Sequence, residues 1–352
     1  MNIVLSSKSF LPLIGGTINY ASMLATAFRD AGHEVTIITR TKGKPDSLKG
    51  VPIVRCPSWR QRIAIARSAD ILLQVDSSWQ DVLPFLFFRV PWFPTIHRGK
   101  NRTSIRQPLL RLKLWLELLA YKLGRTIGVS QFALKSWDID GLCIESSYDN
   151  EIFRLPPEPN IRDIDLFFIG RLTYDKGAFI LFESLKTVIE GNSDILKRVY
   201  FAGIGPAFDD LAAKCKDVVH VDVRVLGKIE TSDEISQLLQ RSKILVFPTT
   251  SKWLEASPIV PLEALASGCF VIASDIGGTR ENIGPNGYLV NPDDPIELAK
   301  MIKKVLSSPP VFDVSGAQAF LTPRHVKNTA NRYLKLFDSA LSNSKSDTNL
   351  KI

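Results

Sequence analysis

The chain has 352 residues, of which 45% are hydrophobic and 23% charged, and a formal net charge of +8. It is too long for one ordinary core and suits two domains, with the composition of a folded globular protein rather than a disordered or fibrous one. No apolar run reaches the ~20 residues that span a bilayer, and Met1-Asn2-Ile3-Val4-Leu5-Ser6 lacks the basic start of a signal peptide, so a cytoplasmic protein is expected.

The first half opens with a strand at Ile3-Val4-Leu5-Ser6 and a loop ending in Gly15-Gly16. A helical pattern then runs from Thr17 to about Ala31, and a second strand follows at Glu34–Thr39. This is a βαβ unit with two glycines at the helix mouth, where free N–H groups favour an anion and missing side chains allow close backbone approach. It is not the Gly-x-Gly-x-x-Gly turn of dinucleotide enzymes. Further strands are expected at Val51–Arg55, Ile71–Gln74, Phe93–Ile96 and Thr126–Val129, with His97 at the carboxyl end of one of them.

Much of the positive charge lies in residues 98–125, where Arg98, Lys100, Arg102, Arg106, Arg111, Lys113, Lys122 and Arg125 are opposed only by Glu117. Leu109, Leu110, Leu112, Leu114, Trp115, Leu116, Leu118, Leu119 and Tyr121 form a wide apolar face at helical spacing in the same stretch. Two readings stay open. One is a packing helix whose cations reach water on their alkyl stems; the other is peripheral contact with the anionic inner face of the cytoplasmic membrane. The chain carries no recognised nucleic-acid module, so no nucleic acid is expected as a partner.

Around Tyr148 to Asp165 the pattern breaks, and Pro156, Pro157 and Pro159 stiffen an extended linker. The expected domains are therefore 1–155 and 156–322, with a helix at 323–341, begun by Thr322-Pro323, crossing back to the first domain, and a disordered tail at 342–352. The second half restarts with a strand at Asp165–Ile169 and the loop Gly170-Arg171-Leu172-Thr173-Tyr174-Asp175-Lys176-Gly177. An arginine fork and a lysine point charge at a helix mouth suit a departing diphosphate. Next come a strand at Val199–Ala202, the turn Gly203-Ile204-Gly205-Pro206, a helix from about Asp233 to Arg241 and a buried strand ending at Phe247.

Glu255 falls in the loop after that strand. Pro261 cannot sit deep in a helix, so a helix begins near it, Glu263 lies in its first turn, and Gly268 ends it in a left-handed conformation. Both acids therefore lie outside the carboxyl ends of parallel strands, where open α/β sheets bind ligands. A strand at Tyr288–Val290 and a helix from Pro295 to Ser307 complete the half.

Glu255 and Glu263, the small-residue helix between Glu263 and Gly268, the turn Asp275-Ile276-Gly277-Gly278, and the loop Gly170-Arg171-Leu172…Lys176-Gly177 together resemble the retaining glycosyltransferases of family 4. The resemblance covers the chain to about residue 341. It implies the GT-B fold, two Rossmann-like doubly wound parallel-sheet α/β domains facing across a cleft. It also implies transfer of a hexose from a nucleotide diphosphate sugar, UDP-glucose or a related UDP-hexose, to a saccharide or lipid-linked acceptor in polysaccharide or glycolipid synthesis.

Carried onto this sequence, the resemblance makes Glu255 the sugar contact, Glu263 the ribose contact, and Arg171 and Lys176 the stabilisers of the leaving diphosphate. His97 and the turn Gly15-Gly16 would face the donor from the first domain, and Gly203 and Gly205 would lie near the base. Front-side displacement needs no carboxylate nucleophile and no metal or other cofactor. Family members carry a Phe-Gly pair shortly after the first glutamate, whereas this chain reads Ala256-Ser257-Pro258-Ile259-Val260. Ser257, Pro258, Ile259 and Val260 fall where the donor is bound, and Pro258 has no N–H to offer it. Two rival readings are a catalytically inactive nucleotide-sugar-binding subunit or sensor, and an epimerase of the same architecture.

Asp138-Ile139-Asp140 and Asp163-Ile164-Asp165 spell a metal-binding pattern of another transferase fold, but a metal needs several converging oxygens, and solvated acids are expected. Cys56, Cys143, Cys215 and Cys269 lack ligand spacing and are expected as reduced, mostly buried thiols.

Overall fold

The computed structural model describes residues 1–13, 15–75, 79–100, 108–156, 161–191 and 195–349. The chain divides into two compact units, Met1–Ser147 with Arg324–Ile352, and Tyr148–Pro323.

Unit 1 is built on β1 (Asn2–Ser7), β2 (Glu34–Thr39), β3 (Ser47–Leu48), β4 (Val51–Arg55), β5 (Ile71–Gln74), β6 (Trp92–Ile96), β7 (Ile127–Gly128) and β8 (Leu142–Cys143). They form an eight-stranded sheet in the order β3-β4-β2-β1-β5-β6-β7-β8. Only the edge pair β3–β4 is antiparallel. The helices are α1 (Gly16–Asp30), α2 (Trp59–Ser68), α3 (Trp79–Phe87), α4 (Pro108–Leu123) and α5 (Gln131–Trp137). Ile3, Val4 and Leu5 of β1 are buried together because a parallel sheet is covered on both faces, which an unbroken apolar run satisfies. On α1, Ile18, Tyr20, Ala21, Leu24, Ala25 and Phe28 recur at helical spacing and are all buried.

Unit 2 carries β9 (Ile164–Ile169), β10 (Arg198–Ala202), β11 (Asp222–Gly227), β12 (Ser242–Phe247), β13 (Phe270–Ser274) and β14 (Gly287–Val290). They form a six-stranded sheet in the order β11-β10-β9-β12-β13-β14, and all its pairings are parallel. Helices α6 (Ala178–Gly191), α7 (Phe208–Lys216), α8 (Ser232–Arg241), α9 (Val260–Ala266), α10 (Pro295–Ser307) and α11 (Val314–Leu321) connect and flank the strands. The order runs outward in opposite directions from the β9–β12 pair. Loops leaving the carboxyl ends of β9 and β12 therefore diverge and leave a crevice, the switch point of a doubly wound sheet.

The division of the chain differs from the expected 155/156 boundary. Tyr148 and Phe153 are buried in the unit 2 core with Phe167 and Leu245. Ser236 donates to the Ile152 carbonyl at 2.8 Å and Gln240 to that of Arg154 at 3.0 Å, so residues 148–155 are fastened to α8. Of the linker prolines, Pro157 and Pro159 lie outside the described residues.

At the other end, Thr322-Pro323 does not start the final helix. The Thr322 hydroxyl donates back to the Gln318 carbonyl at 2.7 Å, closing α11, and a 3-10 turn over Thr322–Arg324 separates it from α12 (Val326–Asn349). The start of α11 is capped by Asp313, whose carboxylate accepts from Gly316 N at 2.8 Å. The described helix runs through 342–349, expected as tail, and residues 350–352 lie outside the description. Helix α12 belongs to unit 1 because Tyr333 and Phe337 pack on Phe28 and Phe93, with Phe93 and Phe337 ring centres 4.9 Å apart.

Cys215 and Cys269 are buried, Cys143 is half-buried and Cys56 is exposed, so burial holds for two of the four thiols. Of the Asp-x-Asp pairs, Asp138 and Asp140 are exposed as expected, whereas Asp163 and Asp165 are tied into the fold rather than solvated. Asp165, 3% exposed, accepts from the backbone N–H groups of Lys197 and Arg198 at 2.7 and 2.9 Å and from Lys243 at 2.7 Å, while Asp163 bridges Arg198 and Arg241. Asp138 takes the left-handed conformation that ends α5. Among the described residues no helix is long and apolar enough to cross a membrane.

Candidate functional site

The residues singled out in unit 2 meet at the carboxyl ends of β9 and β12. Lys176 ends a short 3-10 turn after β9, and Gly177, with φ of +77°, follows it. A Cβ on Gly177 would lie 1.8 Å from the carbonyl oxygen of Pro248, so only glycine lets the β9 loop lie against the end of β12. Thr250 secures the same junction, its N–H and hydroxyl both donating to the Asp175 carbonyl, at 3.0 and 3.1 Å.

This stitching brings the Lys176 ammonium into an ion pair with Glu255, their side chains 15% and 13% exposed. Thr249 donates to the same carboxylate oxygen at a long 3.5 Å. The Arg171 guanidinium and the Lys176 ammonium lie 5.7 and 5.0 Å from the ring centre of Trp253, within the range of cation–π attraction. Two cations and one carboxylate thus share one loop cluster.

Helix α9 starts as expected. Pro261 is in its first turn, Glu263 follows, and Gly268 with φ of +83° ends it. Ile259 precedes the helix and its carbonyl accepts from the N–H groups of Leu262 and Glu263 at 2.9 and 3.1 Å, while Val260 is the first helical residue. The Glu263 carboxyl is pushed up to about 7, chiefly by burial, with the Asp149 charge adding to it. It is poised to exchange a proton near neutrality.

Gly203 and Gly205 also meet a packing need. A Cβ on Gly203 would lie 1.8 Å from the Gly170 carbonyl oxygen, and one on Gly205 would lie 2.3 Å from that of Leu172. Their bareness is required for packing the β10 loop against the loop that carries Arg171.

In unit 1, Gly15 precedes α1 and Gly16 begins it, and among the described residues a Cβ on either would meet no atom within 4 Å. Close packing inside the protein does not demand glycine at these two positions. His97 follows β6, its Nε2 2.8 Å from the Thr95 hydroxyl and its ring set edge-on to Tyr20 at 4.9 Å. Tyr20 lies one turn into α1, so His97 and the glycine turn share one neighbourhood. Burial pushes the imidazole down to about 3, leaving it neutral at physiological pH.

Residues 163–308 match the family model described as "Glycosyl transferases group 1". Every residue of this unit 2 site except Asp149 lies within that match.

Over 178 residues the chain is 30% identical to an uncharacterized glycosyltransferase of Methanocaldococcus jannaschii, covering 49% of this chain and 43% of that one. It is 31% identical over 185 residues to a D-inositol 3-phosphate glycosyltransferase of Corynebacterium urealyticum, covering 49% and 42%. The chain thus spans less than half the length of these two relatives. A third, glycogen synthase of Mycobacterium tuberculosis, is 29% identical over 365 residues, covering 88% and 87%.

Among solved structures, HepE of Anabaena in complex with UDP aligns with a TM-score of 0.78 at 18% identity, covering 96% of this chain and 100% of that one. Sucrose-phosphate synthase of Thermosynechococcus elongatus aligns at 0.76 with 18% identity, covering 97% and 99%. The fold of the chain is GT-B, two parallel-sheet α/β domains.

Three residues of the unit 2 site carry no sequence signal. Trp253 and Thr249 touch the charged pair only because the loop turns back on itself. Asn282, 1% exposed, donates from Nδ2 to the Ser257 hydroxyl and to the Pro258 carbonyl, both at 2.8 Å, from 24 or more positions away.

Proposed function

We propose that the chain is a retaining glycosyltransferase that moves a hexose from a nucleotide diphosphate sugar, a UDP-hexose such as UDP-glucose, to a saccharide or lipid-linked saccharide acceptor. The observation that carries this is the Lys176–Glu255 pair beside Arg171 at the switch point of unit 2, within the match to the group 1 model. Support for the donor class comes from HepE, whose structures hold UDP and UDP-glucose.

In the free protein the ammonium and carboxylate satisfy one another. Donor binding exchanges partners: the diphosphate takes Lys176 and Arg171, and a sugar hydroxyl donates to Glu255. As the glycosidic bond breaks, negative charge grows on the leaving phosphate, and the half-buried Lys176 with the exposed Arg171 beside it stabilises that charge more in the transition state than in the ground state. The same phosphate oxygen accepts the acceptor's proton on the front face, which gives retention without a carboxylate nucleophile. Protein cations meet the diphosphate charge, so the reaction is assigned no metal. Glu263 accepts from the ribose hydroxyls, and His97 in unit 1 is a neutral hydrogen-bonding group toward substrate.

The test is transfer and hydrolysis assayed with UDP-glucose and related donors, with the product anomer read by NMR. Lys176→Ala and Glu255→Ala are expected to lower kcat about 10²–10³-fold with the fold intact. Unchanged activity in both sinks the site assignment, an inverted product sinks the mechanism, and tight UDP binding without turnover in the unaltered protein favours a sensor.

A second reading concerns α4, where Leu112 and Trp115 are 52% and 56% exposed beside Arg111. This favours peripheral contact with an anionic bilayer, although Arg102 and Arg106 lie outside the described residues. Sedimentation with phosphatidylglycerol vesicles is expected to carry the protein down at low salt, and Trp115→Ala to weaken this several-fold. No sedimentation at low salt ends the membrane reading.

A further inference from the structure

Pro258 has no N–H, so the turn after Glu255 lacks a backbone donor that a substrate oxygen would otherwise meet. The segment leaving β13 holds this turn from behind. Gly278 N donates to the Glu255 carbonyl at 2.7 Å, and Gly277, with φ of +62°, approaches so closely that a Cβ would lie 2.2 Å from that oxygen. Four residues on, Asn282 donates to Ser257 and Pro258.

The orientation of this amide follows from chemistry. The Pro258 carbonyl can only accept, so the atom facing it at 2.8 Å is the nitrogen, and the second proton of that nitrogen points to the Ser257 oxygen. Ser257 therefore accepts from Asn282 and must send its own proton elsewhere. Among the described residues no acceptor takes it. The Asn282 oxygen is itself buried without a partner, so an apolar side chain would fill this place at lower desolvation cost.

We propose that Asn282 is a positioning residue that fixes the Ser257 hydroxyl as a hydrogen-bond donor to an oxygen of the nucleotide sugar, replacing the N–H that Pro258 cannot supply. The inference rests on the transferase reading of the same site and adds the device that adapts it to this loop. The oxygen belongs to the diphosphate or to a sugar hydroxyl, and the two are separable by experiment.

The variants are Ser257→Ala, Ser257→Thr, Asn282→Asp and Ser257→Ala/Asn282→Asp in the full chain, with Glu255→Ala as control. Donor KM and kcat are read with UDP-glucose, and UDP affinity by calorimetry. In Asn282→Asp a carboxylate oxygen replaces the amide nitrogen, so it draws the Ser257 proton to itself. Ser257→Ala and Asn282→Asp are each expected to raise donor KM roughly 10-fold or more with kcat within about 3-fold. Ser257→Thr keeps the wild-type KM, and the double variant is no worse than about 3-fold beyond Ser257→Ala.

A parallel loss of UDP affinity assigns the proton to the diphosphate, and an unchanged UDP affinity with raised KM assigns it to the sugar. Additive losses in the double variant, or wild-type KM and UDP affinity in Ser257→Ala, overturn the proposal, and the latter decides even where Asn282→Asp does not fold. If Glu255→Ala abolishes transfer while the Ser257 and Asn282 variants behave as wild type, this inference alone fails. If Glu255→Ala is also without effect, the transferase reading fails with it.

Discussion

Both units are doubly wound parallel sheets, yet the carboxyl-end loops singled out in them carry opposite kinds of chemistry. In unit 2 the site is charged and tightly stitched: Lys176 pairs with Glu255, Arg171 lies over Trp253, and glycines at 177, 203 and 205 let neighbouring loops touch. In unit 1 the corresponding residues are uncharged. Gly15 and Gly16 face open space, and His97 is held neutral by burial. One scaffold therefore supports two loop designs, one built around a half-buried ion pair and one that is neutral. The difference lies in the loops, as expected when function is grafted on a shared fold.

The largest break in this comparison is expected from Gly177→Ala. Its Cβ would meet the Pro248 carbonyl at 1.8 Å in a left-handed backbone, so the β9 loop must move and Lys176 with it. A loss of roughly 3–5 kcal/mol is expected, together with loss of transfer, read by denaturant unfolding and assay. Gly16→Ala has no such neighbour and is expected to change stability by less than about 1 kcal/mol. Equal effects at the two positions would remove the contrast between stitched and open loops.

A smaller effect is expected at Glu263. Its folded carboxyl lies near 7, above the ordinary value of 4.5, so the protonated form is favoured in the fold. That stabilisation is fully present below about pH 4.5 and is lost as pH rises through 7. Glu263→Gln mimics the protonated form and is expected to match the wild type at pH 4 and exceed its stability by roughly 1–3 kcal/mol at pH 8. Ribose hydroxyls donating to the carboxylate favour its charged form, so UDP binding near pH 7 should release a proton. Calorimetry in buffers of different ionisation enthalpy reads this directly, and equal heats in all of them would separate Glu263 from the nucleotide.

Much of the frame was legible because it rests on local rules. Pro261 and Gly268 bracket α9 since one cannot sit deep in a helix and the other takes φ of +83° cheaply. Apolar runs marked β9 and β12 because both faces of the sheet are covered. What escaped were contacts set by loops distant in sequence. The tie from Asn282 to Ser257 spans 25 positions, and the packing of the glycine turn at 203–205 on the Arg171 loop joins segments about 30 positions apart. Residues 148–155 resembled a linker because their acids and the prolines that follow at 156, 157 and 159 mask Tyr148 and Phe153, two core side chains of unit 2. Thr322-Pro323 has the form of a helix start, but the Thr322 hydroxyl is used backward to finish α11.

The smallest effect is expected at His97, and it tests the neutral half of the comparison. A group lowered from 6.5 to about 3 in the fold contributes stability above pH 6.5 that is lost as pH falls toward 3. Across pH 5–9 it therefore keeps one protonation state, and the kcat/KM profile should show no limb near 6.5 from this residue. His97→Asn retains a hydrogen-bonding group beside Thr95 and is expected to lower kcat/KM no more than about 10-fold, with the shape of the profile unchanged. An acidic limb near 6.5 that His97→Asn abolishes would mean that the imidazole gains a proton in the working enzyme. Unit 1 would then supply charge as unit 2 does, and the two loop designs would be variants of one.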